Sequence, residues 1–218
     1  MAEQEISRRP LKSRGTRWAA SAARSVATIG LRPNQISVLS VFFAALACGC
    51  LVLTNHVERN AAAWLFVGAA VGVQLRLLCN LLDGMVAVEG GFRTKTGEIY
   101  NELPDRFADV LILVGAGCSL GASPSLTTLG WAAAVGSVLT AYVRALGVAA
   151  GASQHFVGPM AKPHRMGVMT VACLGTAVSL WMRKPFSLIE PALWIIVVGC
   201  VLTTIRRTLR ILRELDSK

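Results

Sequence analysis

The chain has 218 residues, 54% of them hydrophobic and only 16% charged, with a mean hydropathy of +0.55. A soluble domain carries about 25% charged residues, so this composition excludes an ordinary soluble globule, a disordered chain and a coiled coil, and leaves an integral membrane protein. The 22 Lys and Arg against 12 Asp and Glu give a net charge of +10. Such an excess serves either nucleic-acid binding or cationic loops on the cytoplasmic side of a membrane, and the placement of the charges decides between them.

In chain order, a basic and polar segment over residues 1–31 comes first, too polar for the apolar core of a signal peptide. Within it, residues 16–29 can lie as an interfacial helix on anionic headgroups or form a basic arm. Six apolar runs follow, over 35–54, 61–82, 104–121, 126–147, 166–182 and 188–205, each near the roughly 20 residues that a membrane-crossing helix needs. They predict an all-α membrane bundle of six transmembrane helices over residues 32–205, with a basic tail over 206–218. The six cysteines all lie within apolar runs, without a CxxC pair or a nearby histidine, and read as small packing residues.

The cations fix an orientation. Seven lie in the N-terminal segment, three between the second and third runs, two between the fourth and fifth, and five in the tail, which makes seventeen on one side. Arg59, Arg183 and Lys184 are the three on the other side, and Arg76 and Arg144 fall inside runs. Both termini are therefore expected in the cytoplasm, in a multi-pass protein of the cell membrane. Trp64, Trp131, Trp181 and Trp194 fall near the outer ends of their runs, as an aromatic belt does. Topology thus accounts for the charge, and no nucleic-acid partner is expected.

The stretch 76–109 carries acids and amides at membrane depth, where ionisable groups are costly and usually functional. Asn80, Asp83 and Ala87 share one helical face, with Gly84 beside Asp83. Gly97, Asn101, Asp105 and Asp109 follow on a slowly drifting stripe of the next helix. Two facing helices that present oxygen ligands can hold hard divalent cations, and glycines beside them admit a nucleotide or phosphate. Two capped helix ends with solvated acids are the plainer alternative. At 100° per residue Glu98, Glu102, Asp105 and Asp109 fall within a stripe of about 60°. Glu102 or Asp109 could therefore add charge to the set, while Pro104 either starts or kinks that helix.

These residues resemble a known signature. The CDP-alcohol phosphatidyltransferase family carries D-x2-D-G-x2-A-R-x8-G-x3-D-x3-D, and this chain reads Asn80-x2-Asp83-Gly84-x2-Ala87-Val88-x8-Gly97-x3-Asn101-x3-Asp105. Every spacing matches, and Asp83, Gly84, Ala87, Gly97 and Asp105 match in kind. Asn stands at the first and third aspartate positions and Val88 at the arginine position. Arg32-Pro33-Asn34-Gln35-Ile36-Ser37 is similar to the P-N-x-[IL]-[ST] helix start of the same family.

The resemblance implies a six-helix enzyme that moves a phosphoalcohol group, often phosphatidyl from CDP-diacylglycerol, to a hydroxyl acceptor and releases CMP. It implies two divalent metals, Mg²⁺ or Mn²⁺, and a homodimer. Carried over by position, Asn80, Asp83, Asn101 and Asp105 are metal positions, with Glu102 or Asp109 as substitutes for the missing charge. Asp105 is also the candidate base, and Gly84, Ala87 and Gly97 line the nucleotide. Arg144, Lys162 and Arg165 can clamp an anionic acceptor, or can serve positive-inside anchoring. Two other readings stand beside the enzyme. An inactive homologue acting as a binding or regulatory subunit would explain the two asparagines. A cation carrier is disfavoured because the acids gather at one end and do not cross the bilayer.

The cation asymmetry is directly testable. A topology reporter fused after Lys218 is expected to read cytoplasm, and one inserted near Ser123 the outside; the reverse pattern overturns the orientation.

Overall fold

The structure is a computed structural model that describes residues 32–89, 97–184 and 186–218, together with Ser21, Arg24, Ser25, Thr28 and Gly30. Within these residues it has six long helices: α1 Pro33–Leu53, α2 Arg59–Glu89, α3 Gly97–Gly117, α4 Pro124–Ala149, α5 Lys162–Trp181 and α6 Ile189–Asp216. Most of the expected interfacial segment over 16–29 lies outside the described residues, as do Arg93 and Lys95.

Local sequence sets the helix starts. Pro33 and Pro124 each occupy the first helical position, where a missing N–H costs nothing and the fixed φ favours the helix. The Gln35 side chain accepts from the Arg32 N–H at 2.9 Å, and Ser123 Oγ accepts from the Leu126 N–H at 3.2 Å. These bonds satisfy amides that would otherwise be orphaned at the helix ends. The third helix begins at Gly97, ahead of the expected 104, and carries Pro104 inside it. The sixth continues to Asp216, so the expected tail over 206–218 forms its last turns.

Small residues bring the helices together. In lipid no hydrophobic force separates helix from bilayer, so association depends on close packing and polar contacts. Helix α1 lies against both α2 and α3. A Cβ at Gly72 would stand 3.0 Å from the Phe43 carbonyl and from Ala47 Cβ. Helices α3 and α4 meet at Gly117 and Gly130, where a Cβ on Gly130 would stand 2.8 Å from Gly117 Cα. Helix α2 packs on α5, and α4 on α6. The interior is Ala-rich, centred on Ala44, Ala47, Phe66, Ala69, Ile112, Ala133, Met166 and Leu193. The outside is apolar too, with Phe42, Trp64, Val71, Trp131, Val171 and Trp194 all exposed. An apolar surface of that extent suits lipid rather than water. Trp64 and Trp181 touch edge to face at one end of the bundle, with ring centroids 5.1 Å apart. The polar stretch lies at the opposite end, where α2 stops and α3 starts.

Among the described residues four helices are long and apolar enough to cross a membrane: α1, α4, α6 and α2 over Arg59–Ala87. The expected six crossings are thus supported for four by length and composition. The other two, α3 and α5, carry Glu102, Asp105, Arg106 and Asp109, and Lys162, His164 and Arg165. Their low hydropathy has a physical cause, because several of these charges neutralise one another inside the bundle.

The α3–α4 contact yields a prediction. Gly130→Ala should force the two backbones apart at a cost of about 1–3 kcal/mol and lower the thermal midpoint in detergent. Gly49→Ala, whose Cβ meets nothing within 4 Å, should leave it unchanged. Equal midpoints for both variants would contradict the tight contact.

Candidate active site

The polar stretch occupies the end of the bundle where α2 stops and α3 starts. Helices α2 and α3 scarcely touch there. Side chains bridge the gap between them, and α5 closes the third side.

Asp109 is the deepest acid. It is fully buried, and both carboxylate oxygens accept from guanidinium groups: Oδ1 from Arg76 on α2 and Oδ2 from Arg165 on α5, each at 2.6 Å. One turn nearer the helix start, Asp105 is 2% exposed. Its Oδ1 lies 3.4 Å from Arg76 Nη2, and its Oδ2 pairs with the Lys162 ammonium. Arg106 lies 3.8 Å from the same Oδ2. Arg165 also donates to the Met160 carbonyl at 2.8 Å. Three helices are thus tied by two acids and three cations. Arg76 Nε and Nη1 and Arg165 Nε find no acceptor, so the network is rich in donors.

Asp83 sits apart from these pairs. Ser37 of α1 donates to its Oδ2 at 2.7 Å, which gives the Pro-Asn helix start a role in holding the acid. Its Oδ1 is buried with no partner, and so is the Asn80 amide nitrogen one turn away. Gly84, Ala87 and Gly97 are partly exposed around this end.

The outermost acid is Glu102. It pairs with Arg144 of α4 at 2.6 Å and with Arg106 at 3.5 Å. The Arg144 guanidinium also lies over the Phe156 ring, 5.4 Å from its centroid. The side chains of Glu98 and Asn101 lie outside the described ones. The acids of α3 therefore do not converge on one point. Glu102 faces α4, whereas Asp105 and Asp109 face α2 and α5. The three expected clamp cations separate likewise, with Arg144 on Glu102, Lys162 on Asp105 and Arg165 on Asp109.

The loop that leads into Lys162 at the start of α5 is fastened to α6. Gly158 adopts φ +120°, which glycine tolerates, and a Cβ there would stand 2.5 Å from Thr203 Cγ2. Thr203 Oγ1 accepts from the Met160 N–H at 2.9 Å, and Arg207 Nε donates to the Val157 carbonyl at 2.9 Å. Glu214 accepts from the Ser153 N–H at 2.8 Å and from the His155 ring. Sequence reasoning assigned no function to Ser37 or Arg76. For Arg76 a signal existed, since a cation inside an apolar run, four residues before Asn80, lies on the same helical face.

Among the described residues no group of three or more His, Cys, Asp or Glu side chains could hold a metal ion. A hard cation nonetheless fits the orphaned Asp83 Oδ1, with the Asn80 amide one turn away.

No family model matches the chain. Three relatives match, two of them named as synthases of inositol-phosphate lipids. The chain is 36% identical over 116 residues to the bifunctional IPC transferase and DIPP synthase of Rubrobacter xylanophilus, a match over 53% of this chain and 24% of that protein. It is 26% identical over 157 residues to the archaetidylinositol phosphate synthase of Pyrococcus horikoshii, covering 72% and 77%. It is 27% identical over 189 residues to the phosphatidylinositol phosphate synthase of Mycolicibacterium smegmatis, covering 85% and 79%. The chain therefore spans about a quarter of the first relative and more than three-quarters of the other two. Among solved structures it is similar to Mycobacterium tuberculosis phosphatidylinositol phosphate synthase in complex with manganese and citrate, with a TM-score of 0.70 and 21% identity over 88% of each chain. It is also similar to that enzyme with CDP-DAG bound, with a TM-score of 0.69 and 23% identity over 90% and 94%. The fold is shared with these membrane synthases.

The clamp on Asp109 can be broken from one side. Arg76→Met leaves the carboxylate with one cation and should cost about 3–5 kcal/mol, the usual penalty for halving a buried pair. Adding Asp109→Asn should recover part of the loss in thermal unfolding. An Arg76→Met chain as stable as the unmodified one would show that the clamp holds nothing.

Proposed function

We propose that the chain is a membrane phosphotransferase that moves phosphatidyl from CDP-diacylglycerol to a hydroxyl of a phosphorylated acceptor and releases CMP. The named relatives make an inositol phosphate the first acceptor to test. The observation that carries the reading is that both motif aspartates, Asp83 and Asp105, are buried at the one end of the bundle where α2 stops and α3 starts, in a fold similar to that of a CDP-DAG-bound synthase. The same proposal includes six membrane crossings, cytoplasmic termini and a homodimer.

The residues divide the work. Asp83, with the Asn80 amide one turn away, would hold Mg²⁺ or Mn²⁺, and Asn101 and Asp105 are the remaining motif positions. A bound divalent cation supplies positive charge to the donor diphosphate and to the departing CMP. Gly84, Ala87 and Gly97 keep the helix surface low enough for the nucleotide to lie against it. Asp105 takes the acceptor hydroxyl proton as the oxygen bonds to the lipid-bearing phosphorus and the bond to CMP breaks. Ser37 holds the Asp83 carboxylate in position. Lys162 and Arg165 are committed to Asp105 and Asp109, which leaves Arg144, partly exposed beside Phe156, as the cation for the acceptor phosphate. Asp109 serves as the anchor for Arg76 and Arg165.

A second reading, an inactive homologue that binds CDP-lipid, is favoured by the two asparagines and by the cations on both oxygens of Asp105.

CMP release from CDP-diacylglycerol with inositol phosphate and Mn²⁺ or Mg²⁺ separates the readings. The unmodified chain should turn over, whereas Asp83→Ala and Asp105→Ala should lose at least a hundredfold in rate while still folding and inserting. Near-normal turnover in both variants overturns the site. Donor binding without turnover across acceptors supports the inactive homologue.

A further inference from the structure

We infer that this site takes one divalent cation, seated on Asp83, and that the fixed charges of Arg76 and Lys162 on Asp105 stand where the resemblance would put a second. The inference rests on the phosphotransfer reading for what the cation does. Its residues are those of this chain.

Three observations carry it. First, the oxygens of Asp105 are occupied from two sides, Oδ1 by Arg76 and Oδ2 by Lys162. A cation seated there would have to displace the ammonium of a side chain whose preceding loop is pinned to α6 through Met160, Thr203 and Arg207. Second, Asp83 is 4% exposed, and its Oδ1 has no partner. A buried carboxylate oxygen without a donor is costly, and a cation removes that cost. Third, cations already outnumber acids around Asp105 and Asp109: Arg76, Lys162, Arg165 and Arg106 all lie against one or both of them. Asn80 and Asn101 add no charge. A second dication there would add two more positive charges in a partly dry site, where unpaired charge is expensive.

Arg76 also explains the pattern of substitution along α2. It lies one turn below Asn80 on the face that carries Asp83. An aspartate at 80 would give Arg76 a carboxylate partner within its own helix and compete with Asp105 and Asp109 for the guanidinium. The neutral amide leaves Arg76 to the α3 acids.

The test counts ions. The chain, freed of metal by chelation in detergent, is titrated with Mn²⁺ and followed by electron paramagnetic resonance, which separates free from bound ion and shows coupling between neighbouring ions. One bound Mn²⁺ per chain, without coupling, is expected. Asp83→Asn should weaken that binding at least tenfold. The triple variant Asn80→Asp, Asn101→Asp, Lys162→Met, which adds two acids and removes the partly exposed cation, should bind two Mn²⁺ with a coupled signal. Two ions on the unmodified chain, one ion indifferent to Asp83→Asn, or no bound ion would each overturn the inference. CMP release measured on the same preparation keeps the two proposals apart. Turnover with two coupled ions overturns the single-cation site and leaves the transferase standing. One ion without turnover for any acceptor does the reverse.

Discussion

A fully buried carboxylate between two guanidinium groups organises this bundle. Moving an isolated carboxylate into a medium of low dielectric costs on the order of 20 kcal/mol in the ideal limit, and no helix propensity or packing at Ala-rich contacts offsets that. Asp109 is tolerable inside the helices because Arg76 and Arg165 reach one oxygen each at 2.6 Å. Each cation comes from a different helix, so satisfying one acid fixes the positions of α2, α3 and α5 together. A buried triad of this sort is seldom more stable than a well-packed apolar one. Its value lies in specifying a register, since a shift of any of the three helices by one turn would strand a charge.

The same network accounts for the two helices that fall short of a spanning hydropathy. A sequence window counts Asp105, Asp109 and Arg165 as four-square penalties against insertion. In the folded bundle these charges face one another and the lipid sees Phe107, Val171 and Leu174 instead. Hydropathy is a property of a lone segment, whereas the cost of a charge belongs to the assembly that meets it. Small residues at the helix contacts make this possible. Close approach of α1 to α2 at Gly72 and to α3 at Gly115 lets side chains of ordinary length bridge the α2–α3 gap.

Much of this was legible in the sequence. The apolar runs located six helices to within a few residues at most ends, and the spaced motif selected the end of α2 and the start of α3. Ends were misjudged where polar residues continue a helix beyond its apolar part, as at Glu89 in α2 and in the last turns of α6 before Asp216. Pairings were the harder part. Angular arithmetic placed Glu102, Asp105 and Asp109 on one stripe, but a stripe on one helix meets different neighbours at successive turns. Glu102 finds Arg144, and Asp105 finds Lys162. Arg76 was visible as an intramembrane cation. Its partners lie across a gap that only the tertiary arrangement defines.

The asparagines of the motif take on a different meaning beside that network. Taken alone, Asn80 is an acid lost, and with Asn101 it suggests a weakened site. Beside Arg76 it fits its surroundings, because a site that holds a buried cation has no need of a further acid on the same face to pair with it. Two unit charges 4 Å apart interact by about 4 kcal/mol at an effective dielectric of 20. Moving charge by one position in such a cluster therefore outweighs most packing terms. The number of carboxylates in a motif then does not count the metals it binds. What counts is the sum over every charge that reaches the same volume, and here α5 adds Lys162 and Arg165 to that sum although it bears no part of the motif.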